Sequence, residues 1–131
     1  MNNKAKGDGN VMNLHNNIII VEFCKFSANI ADLDDIFWGG VIYGSFNEFI
    51  LKNCIFSGNF KQQAGGIYLD RHLKYNNMTV LIDNLIGNNN TVLMDAGFLS
   101  MSMGVDYYNI TLKNSYFANH FSPACILFFL I

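Results

Sequence analysis

LKNCIFSGNF, at residues 51–60, returns as LKNSYFANHF at residues 112–121, with five of the ten residues identical. Weaker copies are VEFCKFSANI at 21–30 and LIDNLIGNNN at 81–90, so the four segments begin at Val21, Leu51, Leu81 and Leu112. A nearly constant period of about 30 residues is typical of proteins built from stacked structural repeats. The repeated segments therefore predict a fold built from stacked structural repeats.

The composition favours strands over helices. Apolar residues make up 51% of the chain, and Phe, Tyr, Ile and Val are abundant among them. These residue types are enriched in β-strands. Three short strands and three turns fit into a repeat of this length, whereas leucine-rich repeats are shorter, at about 20–29 residues, and richer in leucine. We predict an all-β fold, a parallel β-helix (solenoid) of about four rungs.

The predicted rungs differ mainly in one loop, while their strand blocks keep nearly constant lengths, which is how solenoids accommodate insertions. We interpret residues 1–131 as a single β-helix segment of a longer solenoid, because both ends would expose unpaired strand edges. The segment divides into a partial rung at 1–17 and rungs near 18–46, 47–76, 77–107 and 108–131.

Equivalent residues should stack from rung to rung. The predicted inward apolar columns are Phe26, Phe56, Ile86 and Phe117, and Val21, Leu51, Leu81 and Leu112. A polar ladder of Asn29, Asn59 and Asn89 is expected at a tight corner, since asparagine tolerates left-handed backbone and its amide bonds to stacked amides. His120 interrupts this ladder. The register of the third rung is open to a slip of one residue.

Two tetrads, FSAN at 26–29 and FSGN at 56–59, are followed by GGVI at 39–42 and GGIY at 65–68. These pairs resemble the repeats of polymorphic outer-membrane proteins, although Val41 and Ile67 stand where that family usually has alanine. The resemblance implies a right-handed parallel β-helix, of the architecture that pectin lyases share. It also implies a surface-exposed adhesive or structural protein, with no catalytic residue or cofactor to carry over.

The search for an active site finds weak candidates. Asp32, Asp34 and Asp35 form an acidic cluster that could bind calcium, as in a polysaccharide lyase. The cluster lacks EF-hand spacing and no arginine shares its rung, so a solvated loop is the simpler interpretation. We therefore predict a non-enzymatic protein whose loops and flat strand faces bind partners. A polysaccharide-active lyase-like or hydrolase-like enzyme, or its inactive remnant, is the alternative.

The expected partner is a protein or carbohydrate at a surface, besides flanking rungs of a parent chain. Nucleic acid is excluded, since seven lysines and one arginine cannot form a stripe that neutralises phosphates. The apolar run at 124–131 is too short for a membrane span, and no signal peptide is visible. A cell-surface location would therefore depend on a longer parent chain.

The sequence also contains three N-glycosylation sequons and three cysteines. Asn77 and Asn109 are predicted glycosylation sites at equivalent turns, whereas Asn89 would be unavailable within the asparagine ladder. Cys24 and Cys54 occupy the same repeat position and would come within disulfide reach. Two stacked buried thiols are the preferred interpretation.

Overall fold

The structure is a computed structural model that describes residues 4–5, 11–31, 40–61, 66–69, 77–93, 98–102, 107–122 and 127–130. The described residues contain thirteen strands and no helix, and every strand pair is parallel. The predicted all-β class is therefore confirmed, together with its parallel pairing.

The strands range from two to sixteen residues. Their bounds are β1 Lys4–Ala5, β2 Met12–Glu22, β3 Lys25–Ser27, β4 Ile30–Ala31, β5 Ile42–Ser57, β6 Phe60–Lys61, β7 Ile67–Leu69, β8 Asn77–Asn88, β9 Thr91–Val92, β10 Leu99–Ser102, β11 Tyr107–Lys113, β12 Tyr116–Ala118 and β13 Leu127–Leu130.

The strands form two parallel sheets. The smaller sheet has the order β1-β4-β6-β9. The larger sheet has nine strands, with the path β11-β8-β5-β7-β10-β13, while β2 and β3 pair with β5 and β12 pairs with β8. Because neighbouring strands are distant in sequence, the register links chain segments that lie about one repeat apart.

The register pairs one stretch of the chain with the next, and we call each of these stretches a level. Levels one to four lie within residues 12–31, 42–61, 67–92 and 99–121. β1 pairs with level one on its outer side, and β13 pairs with level four on its outer side. Val21 pairs with Leu51, Leu51 with Ile82, and Ile82 with Leu112, so each step between levels advances the chain by one sequence repeat. Residues one sequence repeat apart are thus paired on neighbouring strands.

Level three differs from the prediction by one residue. Ile82 is fully buried in the column assigned to Leu81, which is only half-buried on the other side of the sheet. Ile86, predicted to lie in the core, is 42% exposed, and Gly87 takes the aromatic position. A methyl group on Gly87 would lie 2.8 Å from the Phe117 ring. The slip therefore buries Ile82 and leaves room for Phe117.

The aromatic column keeps its contacts despite Gly87. Phe26 and Phe56 pack with ring centroids 4.5 Å apart. Phe98, which is fully buried, contacts Phe56 edge-on at 5.3 Å and Phe117 at 4.9 Å. Phe98 thus fills the space between two levels that an aromatic side chain at position 87 would have occupied. Each buried ring of this kind contributes roughly 1.5–3 kcal/mol to stability.

The bends of the chain repeat from level to level as left-handed residues. Two columns have positive φ angles, namely Phe23, Asn53, Asn84 and Asn114, and Ala28, Gly58, Asn89 and Asn119. Asn53 makes the first bend at level two, whereas Asn16 and Asn17 continue β2 without a turn. The left-handed residue at the second bend directly precedes the ladder asparagine, so the ladder residues do not make the bend themselves.

The buried amide ladder consists of Asn29, Asn59 and Asn90, each at most 1% exposed. The Asn29 amide donates to Asn59 Oδ1 at 2.8 Å, and the Asn59 amide donates to Asn90 Oδ1 at 2.7 Å. Backbone N–H groups of Asn29 and Asn59 donate to the same oxygens, both at 3.1 Å. The predicted ladder is correct in its first two members and wrong at Asn89, which is exposed at the bend.

Gly40 and Gly66 lie where two levels approach closely. A methyl group on Gly40 would lie 2.5 Å from the backbone oxygen of Gly66, and one on Gly66 would lie 2.5 Å from the Phe98 ring. Such contacts are far below normal carbon distances, so only glycine fits there.

Candidate binding surface

The most regular exposed surface lies on the outward side of β2, β5, β8 and β11. Side chains alternate across a strand, so the residues between the core positions face outward. Three columns run across the levels, namely Ile18, Glu48, Thr79 and Asn109; Ile20, Ile50, Leu81 and Thr111; and Glu22, Lys52, Asp83 and Lys113. We call this surface the strand face.

One column of the strand face is aliphatic over three levels. Ile20 is 60% exposed, and Ile50 and Leu81 beside it are half-buried. Ile18, in the adjacent column, is 56% exposed. Contiguous exposed apolar side chains rimmed by polar residues are typical of protein interaction sites. The strand face is therefore a candidate for binding.

The charged column alternates in sign from level to level. Lys52 Nζ lies 3.9 Å from Glu22 Oε1, and Lys113 Nζ lies 3.3 Å from Asp83 Oδ2. The Asn114 amide donates to Asp83 at 2.9 Å and, with the Lys113 ammonium, holds the pKa of that carboxyl below its ordinary value. Exposed ion pairs contribute about 0–1 kcal/mol, so the column matters more for register than for stability.

A serine and a histidine meet near the start of β2. His15 Nδ1 and Ser45 Oγ share a hydrogen bond of 2.6 Å, and the imidazole meets the Tyr43 ring edge-on at 5.7 Å. His15 is exposed, but Ser45 is only 2% exposed. A nucleophilic hydroxyl must reach its substrate, so this pair joins levels one and two rather than forming a catalytic dyad.

Cys24 and Cys54 are free thiols at stacked positions, as preferred from the sequence; Cys54 is buried as expected, whereas Cys24 is only half-buried. The Cys24 backbone N–H donates to Cys54 Sγ at 3.4 Å, and the Cys54 thiol donates to the Lys52 carbonyl at 3.1 Å. Burial raises the pKa of Cys54, so this thiol is a structural hydrogen-bonding group and a weak nucleophile.

His120 occupies the ladder position of level four. Its two ring nitrogens are buried and have no well-formed hydrogen bond to any described residue. The ring packs against Phe98 and Phe117 with centroid distances of 5.7 and 6.2 Å. Desolvation lowers the pKa of His120, although the backbone of Gly87 and Asn90 partly opposes this. The imidazole therefore prefers its neutral form in the folded protein.

The predicted acidic site lies outside the described residues, which include none of Asp32, Asp34 and Asp35. The calcium hypothesis stays a prediction. Among the side chains that the structure describes, no three His, Cys, Asp or Glu lie close enough together to hold a metal ion.

The sequons are placed differently from the prediction. Asn77 begins β8 and pairs with Tyr107, whereas Asn109 lies inside β11 and pairs with Thr79, so the two are not equivalent. The Asn109 side chain is exposed. Asn89, which the sequence placed in the ladder, is exposed as well, because the slip at level three moves Asn90 into that role. Asn89 and Asn109 are thus the two sequon asparagines described as exposed.

Comparison of the chain with family models, curated proteins and solved structures finds no significant match. Over the described ranges, no helix is both long and apolar enough to cross a membrane.

Proposed function

We propose that the chain winds as a right-handed parallel β-helix of about four rungs and acts as a non-enzymatic binding module of a surface protein. Its parallel pairing supports the winding, as does a register that advances by one sequence repeat at each level. The handedness and the surface location rest on the resemblance of FSAN, FSGN and their glycine pairs to the repeats of polymorphic outer-membrane proteins.

The strand face is the observation that carries the binding role. It places a column of exposed and half-buried aliphatic residues, Ile20, Ile50 and Leu81, beside a column of alternating charges. Apolar side chains left in contact with water on a regular sheet are stabilised when a partner covers them. The charged column would then fix the register of that partner.

A protein is the partner that this surface fits best. Burial of aliphatic area is the main favourable term in protein association, and the neighbouring Glu22, Lys52, Asp83 and Lys113 can pair with charges at the rim of a protein interface. Carbohydrate is the other class that the sequence allowed, and the experiment below separates the two.

The test compares two isoleucine-to-lysine substitutions at outward positions. Ile50→Lys places a charge within the strand face, whereas Ile86→Lys places it in another outward column that also contains Ile55. Binding of the fluorescently labelled chain to cultured epithelial cells is measured for both variants. We expect Ile50→Lys to bind about tenfold more weakly, since a buried unpaired charge costs more than about 1.4 kcal/mol, and Ile86→Lys to bind normally.

Cells treated with protease or with periodate identify the class of partner. Binding lost after protease treatment alone supports a protein. Binding lost after periodate alone would assign a carbohydrate instead. Equal binding by the two lysine variants would remove the strand face from the proposal. Cleavage of an acidic polysaccharide by the chain, with or without calcium, would contradict the non-enzymatic role.

A further inference from the structure

Two cysteines follow the first bend at levels one and two and lie one above the other. Cys24 directly precedes β3, and Cys54 lies at the matching position of β5. The Cys24 backbone N–H donates to Cys54 Sγ at 3.4 Å. Register neighbours lie about 4.8 Å apart, which is inside the range of Cα distances that a disulfide spans. The backbone therefore places the two thiols for a covalent link between levels.

The side chains of the two cysteines also point the same way. The Cys24 thiol donates to the Glu22 carbonyl at 3.2 Å, and the Cys54 thiol donates to the Lys52 carbonyl at 3.1 Å. Each thiol thus bonds the carbonyl two residues before it. The Cys54 sulfur also lies 3.7 Å from the Val21 carbonyl oxygen, which belongs to level one. The two sulfurs are consequently stacked neighbours.

Level four shows that this position does not require sulfur. The Ser115 hydroxyl donates to the Lys113 carbonyl at 2.7 Å, and the Leu85 backbone N–H donates to Ser115 Oγ at 3.2 Å. A hydroxyl therefore makes the same hydrogen bonds that the Cys54 thiol makes at level two. Cysteine at two consecutive levels adds what serine lacks, namely a pair of thiols that can be oxidised to a disulfide.

The two thiols differ in access. Cys54 is 1% exposed, whereas Cys24 is half-buried and lines a cavity of about 560 Å³ along β2. Burial raises the pKa of Cys54, and the Cys24 backbone N–H only partly opposes this. Cys54 is thus a weak nucleophile toward dissolved reagents. Contact with the Cys24 sulfur offsets this weakness, because groups held together react at a high effective concentration. Cys24 therefore reacts first and Cys54 second.

We propose that Cys24 and Cys54 form a redox-sensitive site that reacts with small disulfides of the oxidised-glutathione class and closes a disulfide between levels one and two. The Cys24 thiolate attacks one sulfur of the small disulfide, which forms a mixed disulfide and releases one small thiolate. That thiolate takes up a proton in place of the one that Cys24 lost. Cys54 then gives up its proton, attacks the Cys24 sulfur and displaces the second small thiol. Two protein thiols are thus oxidised, and one small disulfide is reduced to two thiols. This chemistry is independent of the binding role of the strand face, since it needs only the two cysteines.

Mass spectrometry of the folded Cys125→Ser chain after treatment with oxidised glutathione is the first test, because only Cys24 and Cys54 then remain. We expect the chain to lose the mass of two hydrogen atoms, and peptide mapping to find Cys24 joined to Cys54. A glutathione adduct that persists on Cys24, or two unmodified thiols, would overturn the proposal. The same mapping of the unsubstituted chain covers the case in which Cys125→Ser impairs folding.

Single variants of this chain separate the two roles. With Cys54→Ser, which repeats the arrangement at Ser115, Cys24 should keep a stable glutathione adduct because nothing displaces it. With Cys24→Ser, the buried Cys54 should stay unmodified while the chain is folded. Rapid modification of Cys54 in that variant would refute the site.

Cys54→Ser combined with Leu85→Cys is the matched control. Leu85 pairs with Cys54, so this variant keeps two cysteines in one column but two levels apart. Their separation of about 9.6 Å exceeds the disulfide limit of about 7 Å, and no internal disulfide should form. Closure as efficient as that of Cys24 with Cys54 would show that stacking is not what joins them.

Thermal unfolding of the reduced and oxidised chains measures the effect on the fold. A cross-link restricts the unfolded chain, so the oxidised chain should unfold roughly 10 °C higher, and dithiothreitol should abolish the difference. An oxidised chain that unfolds at a lower temperature than the reduced one would contradict a link that the native register accommodates.

Discussion

Levels two and four share five of the ten residues in the repeated stretch but place them in different environments. Leu51 is fully buried, and its counterpart Leu112 is 39% exposed. Phe56 is fully buried, and Phe117 is half-buried. Asn59 is held by amides above and below, whereas His120 has no well-formed hydrogen bond to a described residue.

The difference shows that a residue's contribution depends on the levels on both sides of it. Asn59 accepts a hydrogen bond from Asn29 at level one and donates one to Asn90 at level three. Leu51 lies between Val21 and Ile82 of the same two levels. Among the described residues, Leu112 and His120 have such neighbours at level three alone. Substitutions at matched positions should therefore differ in effect, with the larger losses at level two.

The aromatic column should give the largest contrast. Phe56→Ala removes a fully buried ring that contacts Phe26 and Phe98, and we expect a loss of about 4 kcal/mol in the free energy of unfolding. Phe117→Ala removes a half-buried ring, and the expected loss is about half as large. Urea denaturation followed by circular dichroism measures both. Equal losses would show that level four is as well packed as level two.

The amide ladder should give the next largest effect. Asn59→Ala leaves the Asn29 amide, the Asn90 carbonyl oxygen and the Phe26 carbonyl without their bonds to this side chain. Buried groups that lose their partners cost about 1–3 kcal/mol each, and we expect a total loss of roughly 3 kcal/mol. His120→Ala, measured in the same denaturation series, should cost less than about 1 kcal/mol. A larger loss at His120 would contradict the assigned ladder.

The smallest effect should be a gain. In His120→Asn, the new carbonyl oxygen can accept from Asn90, and the new amide can donate to the Gly87 carbonyl, as the Asn90 amide donates to Phe56. We expect stability to rise by about 1 kcal/mol. Thermal and urea unfolding at about pH 7.5, where the wild-type imidazole is neutral in both states, isolate this effect. A loss of stability would mean that the cavity is shaped for the imidazole.

His120→Asn should also change how the free energy of unfolding depends on pH. Burial lowers the pKa of His120 in the folded protein, so the unfolded chain binds a proton first as pH falls. The stability that the neutral ring contributes is fully present above the unfolded pKa of about 6.5 and is lost as pH falls through the folded pKa. Between about pH 7.5 and pH 5, the wild type should lose more stability than His120→Asn. Parallel profiles would contradict the assigned shift.

The periodic part of the fold could be predicted from the sequence. The repeat of Leu51, Asn53 and Phe56 at 112, 114 and 117 was sufficient to indicate strands in register, because each residue type suits one environment. The left-handed bend at Asn53 and the close approach at Gly40 follow the same rule.

Level three could not be assigned from its own residues. Leu81 and Ile82 are both apolar, and three consecutive asparagines, residues 88–90, offer three alignments of the ladder. The structure chooses between them through contacts from other levels, namely the space that Gly87 leaves for Phe117 and the ring that Phe98 supplies. Strand faces were expected to bind partners, but the alternating charges of this one could not be predicted, since opposite charges one repeat apart become neighbours only when the register is known.

The register also shows where added length can be accommodated. Gly44 pairs with Leu69, and Glu48 pairs with Thr79, so the link between these positions is six residues longer at level three than at level two. The strands on both sides remain paired despite that difference. A foreign peptide introduced between Leu69 and Asn77 should therefore leave the hydrogen-bonded framework intact. That site is the natural place to carry an epitope or a fluorescent label without disturbing the stack.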